Sequence, residues 1–206
     1  MDFTFTEDQL LFQESVRDFL VNEVTPARIR QSWDSDSGRD VALWNQLTEL
    51  GLVALTVPEE FGGLGMGITS YNRALEMIGS HCGSTAVIVS AHLSIVCLAV
   101  KLFGTEEQKK QWLPILARER LSAFCLSEPN VGCDAGGQES TCELSEDGEH
   151  YILNGEKKWA TSGALSAMFT VMAKQTMPDG KKKVTALIVT PDMEGIDVFE
   201  KNRSKC

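Results

Sequence analysis

Helical periodicity dominates the first 120 residues of the chain. The first predicted helix places apolar side chains at positions i, i+4, i+7 and i+8: Phe12, Val16, Phe19 and Leu20. Thr6 and Gln9 form a capping-box pattern in front of them, and Pro26 marks the predicted end of the helix. The pattern therefore predicts an amphipathic helix that buries one face.

Four further helices are predicted downstream, over residues 40–50, 69–78, 85–103 and 105–118. Asp40 is the predicted N-cap of the first of these, and Thr105 with Gln108 repeats the capping-box pattern. Residues 30–39 are predicted to form a polar link, and residues 58–65 an irregular loop. Short connections between about five helices are typical of a helical bundle.

After residue 120 the periodicity changes to the alternation of β-strands. Strands are predicted over residues 121–127, 141–144, 151–153, 156–161, 167–174 and 183–190. The turns between them predict that 141–144 and 151–153 form one hairpin, and that 167–174 and 183–190 form another pair. Asn154-Gly155 is the dipeptide that type I′ turns prefer, so it is predicted to join two of these strands. The sequence therefore predicts an α+β fold, with an all-α helical domain at 1–120 followed by an antiparallel, barrel-like β domain at 121–206.

The composition is typical of a soluble globular protein, with 206 residues, 43% hydrophobic content and a net charge of −10. This acidity argues against nucleic acid or an anionic membrane as the main partner. No signal-peptide or transit-peptide pattern opens the chain. The uncharged stretch between Glu76 and Lys101 is interpreted as a helix buried on nearly all sides, in preference to a membrane span.

Cysteine and histidine spacing gives no indication of a metal site. The six cysteines form no CxxC pair, and the three histidines have no metal-ligand spacing. The cysteines are interpreted as free thiols of a reducing compartment. His92, on an apolar helix, is more often a hydrogen-bonded core histidine than a ligand or a base.

The junction between the two predicted domains carries the most informative stretch. Residues 124–134 indicate the end of a strand that runs into a tight loop, with Phe124 and Leu126 on one side of the extended segment. Pro129 fixes a turn, and Gly132 lets the backbone approach another group closely. Small polar residues surround that turn: Ser127, Asn130, Cys133 and Asp134.

Two blocks of sequence resemble motifs of the acyl-CoA dehydrogenase family. They are LSEPNVGCD at residues 126–134 and YILNGEKKWATSG at residues 151–163. Weaker matches at residues 58–63 and 103–109 complete the expected order. The sequences of residues 90–104 and 123–129 are most similar to the short-chain, butyryl-type members. The resemblance covers essentially the entire chain and corresponds to the N-terminal and middle domains of the family.

This resemblance implies flavin chemistry on an acyl-CoA thioester. Family members use FAD for the α,β-dehydrogenation of acyl-CoA to trans-2-enoyl-CoA, and they pass the electrons to an electron-transfer flavoprotein. For this chain it implies a short- or branched-chain acyl-CoA substrate and a homo-oligomer in the full-length form. The implied location is the bacterial cytoplasm, or the mitochondrial matrix for a processed eukaryotic protein.

The resemblance also implies site residues. The expected FAD contacts are Phe124, Cys125, Leu126, Ser127, Gly132, Cys133, Trp159, Ala160 and Thr161. Cys133 is also expected to contact the substrate, and Ser90 and His92 are expected to bound the acyl pocket. Donors from Ser127 would face the flavin edge where negative charge develops on reduction.

Some of these residues also have ordinary structural explanations. Trp159, at a predicted strand end, is also typical of an ordinary core aromatic. Ser127 and Thr161 are also typical of turn hydroxyls that bond to local backbone. Glu128 has the side chain of a catalytic acid, but its place before Pro129 favours a structural function.

The chain departs from the family pattern at three points. Cys133 stands where the family has Ser, and Ser162 where it has Asn. The family's C-terminal helical bundle, which carries the catalytic carboxylate, has no counterpart in the 206 residues. No catalytic residue is therefore assigned, the β domain is expected to be incomplete at its C-terminal end, and this chain alone is expected to be inactive.

Two other functions fit the same sequence. One is a non-catalytic short form, or a partner subunit, that binds flavin or acyl-CoA. The other is a flavin-dependent monooxygenase of the same fold, which the match around Trp159 makes the least favoured.

Overall fold

A computed structural model describes residues 4–35 and 40–198 of the chain. These residues divide into two units between Arg120 and Leu121. The described part of the first unit contains six helices: α1 (Glu7–Glu23), α2 (Pro26–Asp34), α3 (Val41–Glu49), α4 (Ile68–His81), α5 (Gly83–Phe103) and α6 (Glu106–Arg118). The second contains a five-stranded sheet: β1 (Leu121–Cys125), β2 (Thr141–Leu144), β3 (Tyr151–Asn154), β4 (Ser166–Thr176) and β5 (Lys182–Val189). The predicted α+β class is confirmed.

Local capping explains where α1 and α6 begin. The Thr6 hydroxyl accepts a hydrogen bond from the Gln9 amide at 3.3 Å, and the Gln9 side chain accepts one from the Thr6 amide at 3.0 Å. Thr105 and Gln108 make the same reciprocal pair at 3.2 and 2.9 Å. Both predicted capping boxes are confirmed, and each satisfies two backbone donors at the helix start.

Helix α1 ends at Glu23, shortly before Pro26 as predicted, and Pro26 begins a second helix, α2, that was not predicted. The Thr25 hydroxyl caps α2 by accepting a hydrogen bond from an amide of its first turn. Proline is tolerated at the first helical position because the N–H that it lacks would have no partner within the helix. The predicted polar link at 30–39 is therefore wrong as far as Asp34, and residues 36–39 lie outside the described part of the chain.

Helix α5 is buried along one face. Its buried residues are Thr85, Val89, His92, Leu93, Val96, Cys97 and Val100, whereas Val87, Ile95, Leu102 and Phe103 are exposed. The prediction of burial on nearly all sides is wrong, because these apolar side chains are exposed and only 33% of the most apolar segment of α5 is buried. By length and composition alone α5 could cross a membrane, a property that it shares with core helices of soluble proteins.

The sheet of the second unit is mixed. β2 pairs with β3, and β4 with β5, as two antiparallel hairpins that the sequence predicted. β1 and β2, however, both run parallel to β4, so the prediction of an antiparallel domain is wrong in this respect. Residues 126–165, which separate β1 from β4, are long enough for the crossover that parallel pairing needs.

β1 and β2 lie one after the other along the same edge of β4, because β5 occupies the opposite edge. Pairing with β1 extends to Val171, and pairing with β2 begins at Lys174. The Ser140 carbonyl, just before β2, accepts a hydrogen bond from the Lys174 amide at 2.8 Å. The connection between β1 and β2, residues 126–140, therefore leaves the sheet at this break; we call it the junction loop.

Gly155 does not form the predicted hairpin turn. Residues 155–163, which we call the strap, contain no strand, so the predicted strand at 156–161 is wrong. A Cβ at Gly155 would overlap the side chain and backbone of Ser140, and the glycine has φ 155°. The glycine is therefore required by a close approach between the strap and the end of the junction loop.

Gly155→Ala is expected to destabilise the sheet unit by about 2–3 kcal/mol, because the added methyl group forces apart two packed backbone segments. Gly132→Ala is the matched control: a Cβ there meets nothing within 4 Å, so its effect should stay within about 0.5 kcal/mol. Urea unfolding followed by circular dichroism measures both. Equal unfolding free energies for the two variants would contradict the close approach.

Candidate functional site

The structure brings the two motif segments side by side within the sheet unit. The Lys158 amide, in the strap, donates a hydrogen bond to the Ser127 carbonyl of the junction loop at 2.8 Å. The Lys157 ammonium donates to the carbonyl of the preceding residue, Leu126, at 3.2 Å. The strap therefore lies along the start of the junction loop, where β1 ends.

An ion pair between Glu128 and Lys157 joins the same segments. The ammonium Nζ of Lys157 lies 2.6 Å from Glu128 Oε1. The Glu128 side chain is 3% exposed and the Lys157 side chain 10%. Glu128 also accepts hydrogen bonds from the amides of Glu139 and Ser140, and Lys157 also donates to Gln138 Oε1 at 3.1 Å. One buried pair thus connects both ends of the junction loop to the strap.

The environment of Glu128 keeps its carboxylate ionised. Burial by itself would raise the pKa of Glu128, but hydrogen bonds from Lys157, Glu139 and Ser140 outweigh it and lower the pKa to about 2. A carboxylate with this pKa and this many donors is unsuited to accept a proton from a substrate near neutral pH. The geometry therefore favours the structural function of Glu128.

Two residues of the strap have left-handed backbone conformations that side chains rarely adopt. Trp159 has φ 61° and Ser162 has φ 64°. Such conformations are strained for a bulky residue and persist only where the surrounding structure fixes them. The Ser162 carbonyl accepts hydrogen bonds from the Leu165 amide and the Ser166 hydroxyl, both at 2.9 Å, which hold the end of the strap.

Three polar groups at this site remain open to a ligand. Within the described ranges, the hydroxyls of Ser127 and Thr161 and the indole N–H of Trp159 make no hydrogen bond. Trp159 is 64% exposed, so it is not a core aromatic. The two adjoining segments thus carry an exposed indole, which offers a flat apolar surface, and two hydroxyls that can hydrogen-bond to a ligand.

The other expected cofactor contacts lie at the end of β1 and in the junction loop. Cys125 belongs to the sheet core, together with Ala123, Phe169, Val171 and Val189, and burial raises the pKa of its thiol to about 11. Phe124 and Leu126 are half-buried, as expected from the alternation of an extended segment. Gly132 and Cys133 are exposed on the turn, and Ala160 is half-buried in the strap.

Ser90 and His92 lie on α5, in the helical unit. His92 is fully buried, its Nε2 is 3.0 Å from the Leu116 carbonyl oxygen, and its ring meets Trp44 edge-on at 5.3 Å. This geometry favours the core-histidine alternative, since no surface of the ring is left for a substrate. Ser90 is half-buried, with its hydroxyl 3.2 Å from the Tyr71 hydroxyl.

Sequence reasoning missed Lys157 and Gln138. The two residues complete the group around Glu128, but they lie 29 and 10 positions from it in the chain. The sequence contained a signal for this ion pair, because Lys157 and Glu128 carry opposite charges and lie in the two motif segments that were both expected to contact FAD. Across the described residues, no group of three or more His, Cys, Asp or Glu side chains is placed to hold a metal ion.

Comparison with known proteins identifies relatives of both units. Residues 6–120 match the model of the acyl-CoA dehydrogenase N-terminal domain, and residues 123–206 match that of the middle domain. A protein of Clostridium acetobutylicum described as a short-chain specific acyl-CoA dehydrogenase is 34% identical over 199 residues, which cover 96% of this chain and 52% of the relative. The resemblance inferred from the motifs is thereby confirmed.

Solved structures agree with this assignment. An acyl-CoA dehydrogenase of Bacillus anthracis complexed with FAD superposes with a TM-score of 0.86 at 38% identity. The match covers 97% of this chain and 34% of the Bacillus anthracis chain. A chain from a structure described as the electron transferring flavoprotein of Acidaminococcus fermentans gives a TM-score of 0.83 at 32% identity. That match covers 95% of the present chain and 50% of the Acidaminococcus chain. The present chain therefore spans about half, or less, of the length of these relatives.

Glu128→Gln is expected to remove an acid-sensitive contribution to the stability of the sheet unit. The folded-state pKa of Glu128 is about 2 against an ordinary 4.5, so the ionised carboxylate stabilises the fold above pH 4.5. This contribution, about 3 kcal/mol, is lost as the pH falls from 4.5 towards 2. Urea unfolding between pH 7 and 2.5 should show this loss in the wild type and a flatter profile in the variant. Parallel profiles would refute the assignment.

His92→Gln tests the helical unit in a different pH window. Burial lowers the pKa of His92 from 6.5 to about 4, and the hydrogen bond to Leu116 opposes this only partly. The neutral ring therefore stabilises the fold above pH 6.5, and about 3 kcal/mol of that stability is lost as the pH falls to 4. The wild type should lose more stability than the variant between pH 7 and 4, measured by the helical signal in urea. Equal losses would show that His92 is not buried in its neutral form.

Proposed function

Because this chain belongs to the acyl-CoA dehydrogenase family, we propose that it forms the flavin-contacting part of an FAD-dependent enzyme that dehydrogenates a short- or branched-chain acyl-CoA between its α and β carbons. The observation that carries the proposal is the contact between Ser127 and the strap. That contact places an open hydroxyl, an exposed indole and a second open hydroxyl on two adjoining segments.

The residues present fit an isoalloxazine. The exposed indole of Trp159 offers a flat apolar face for a ring, and its strained backbone is a conformation expected at a binding site. The Ser127 and Thr161 hydroxyls would donate to the polar edge of the ring. The exposed turn at Gly132 and Cys133 would lie towards the phosphates and the substrate.

When bound, FAD supplies the hydride acceptor of this reaction. The chain's own residues bind and orient it. Hydrogen bonds from Ser127 would stabilise the negative charge that develops at the flavin edge on reduction, because donors fixed in advance need no reorganisation. The packed core behind Cys125 would keep that edge of the site rigid.

The proton-removing base is proposed to come from outside this chain. Glu128 is a carboxylate within the motif, but it is buried, ionised and hydrogen-bonded to Lys157 and to two backbone amides. We therefore propose that the 206-residue chain binds flavin but does not turn over by itself. The same observation favours a second candidate function, a non-catalytic flavin-binding module or partner subunit.

Cys133 differs in its chemistry from the residue that makes this contact in the family. A thiol is larger than a hydroxyl and a weaker donor, so it would bond less strongly to a phosphate or a substrate carbonyl. Its exposure leaves it accessible to either group. Electron transfer to an electron-transfer flavoprotein, homo-oligomerisation of the full-length form, and a cytoplasmic or mitochondrial location remain part of the proposal, by family membership.

The test is an equilibrium titration of the purified chain with FAD, followed by addition of butyryl-CoA and an artificial electron acceptor. FAD should bind with quenching of its fluorescence, and no turnover should follow. Ser127→Ala and Thr161→Ala should each weaken binding by about five- to tenfold, as expected for the loss of one hydrogen bond.

Thr185→Ala is the matched control, since Thr185 is also half-buried but lies on β5, away from the junction loop. It should leave FAD affinity unchanged. Absence of FAD binding by the wild-type chain would contradict the proposal. Turnover by the chain alone would instead refute the claim that the base lies outside it.

A further inference from the structure

The ion pair between Glu128 and Lys157 is closed to external ligands. An ammonium group has three N–H donors, and each donor of Lys157 has an acceptor within the chain: the Leu126 carbonyl, Glu128 Oε1 and Gln138 Oε1. The Glu128 carboxylate likewise accepts from Lys157 and from two backbone amides. Both polar groups are engaged, and the side chains of Glu128 and Lys157 are only 3% and 10% exposed, so any effect on cofactor binding must be exerted through the segments that the pair joins.

The strap is fixed on both sides of Trp159. On one side, the ammonium of Lys157 and the amide of Lys158 bond to the junction loop. On the other side, the Ser162 carbonyl accepts hydrogen bonds from Leu165 and Ser166. Trp159 is thus held in a short segment whose ends cannot rotate independently of the sheet unit.

The conformation of Trp159 needs this support. A left-handed backbone brings Cβ close to the following carbonyl oxygen, so a non-glycine residue prefers the right-handed region when it is free to choose. An exposed side chain provides little packing to compensate, and Trp159 is 64% exposed. If the start of the strap were released, the backbone at Trp159 would relax and the indole would point in a different direction.

We propose that Glu128 and Lys157 are positioning residues, whose ion pair holds the strap so that Trp159 presents its indole in a fixed direction before the flavin binds. This inference rests on the proposed function, because it takes the flavin ring as the group that meets Trp159. Fixing the indole in advance raises affinity, since its ordering has already taken place during folding.

The experiment compares Lys157→Met, Glu128→Gln and Lys157→Arg with the wild-type chain. Two quantities are measured at a temperature where each protein is folded: the FAD dissociation constant, and the near-ultraviolet circular dichroism of Trp159 in the FAD-free protein. The Trp159 contribution is isolated by subtracting the spectrum of Trp159→Phe in each background. We expect Lys157→Met and Glu128→Gln to weaken FAD binding at least tenfold and to diminish the Trp159 signal. Lys157→Arg keeps the charge and should restore most of both.

Asp40→Asn controls for the general loss of an ion pair. Asp40 pairs with Arg28 at 2.6 Å in the helical unit and caps α3, a function that asparagine also performs. This substitution removes one paired carboxylate, as Glu128→Gln does, without touching the strap. FAD affinity should therefore stay within twofold of the wild type.

Trp159→Gly separates positioning from a purely structural effect. Glycine adopts the left-handed region without strain, so the variant should melt at a higher temperature while it binds FAD more weakly. In this background Lys157→Met should weaken FAD binding less than threefold, because no indole remains to be positioned. A structural function of the pair would instead give the same loss in both backgrounds.

The inference is overturned if folded Lys157→Met keeps FAD affinity within twofold and retains the Trp159 signal. If that variant does not fold, Glu128→Gln in the two backgrounds decides in its place. If the wild-type chain binds no FAD, the proposed function fails, and the Trp159 spectra of the FAD-free proteins then decide the positioning inference alone.

Discussion

The buried ion pair between Glu128 and Lys157 is the interaction on which the candidate site depends. It joins the junction loop to the strap, at the point where β1 ends and before β2 begins. Removing one partner of such a pair leaves an uncompensated buried charge, which is far more costly than the loss of a surface ion pair. The pair therefore makes the relative position of these two segments a condition of folding in the sheet unit.

The pairing of β1 and β2 with β4 creates the site at which this ion pair lies. β1 and β2 pair with successive parts of the same edge of β4, so the junction loop leaves the sheet between them. A single continuous strand along that edge would leave no space for such a loop. Gly155 allows the strap to approach Ser140 closely, and Trp159 and Ser162 adopt left-handed conformations within it. Close approach and backbone strain are thus concentrated in the segment that also carries the open polar groups, as is common at binding sites.

The sequence could predict features that depend on neighbours in the chain. The capping boxes at Thr6 and Thr105 involve four residues each, and the hairpins follow from alternation and turn residues, so they were predicted correctly. The parallel pairing of β1 with β4 and the close approach at Gly155 depend on segments far apart in the chain. The exposed face of α5 could not be predicted either, because apolar periodicity does not tell which faces other segments cover. The resemblance named the motif residues that contact the flavin in the family. Lys157 lies in the same motif but was missed, because its contribution is a pairing with Glu128, 29 positions away.

The central claim is that the junction loop and the strap together hold one flavin ring. The most direct measurement is a crystal structure of the 206-residue chain with FAD. The account predicts an isoalloxazine in contact with both Ser127 and Thr161, against the indole of Trp159, with the Glu128–Lys157 pair intact beside it. A flavin bound elsewhere on the chain, or one that contacts the junction loop while the strap lies apart from it, would contradict the account.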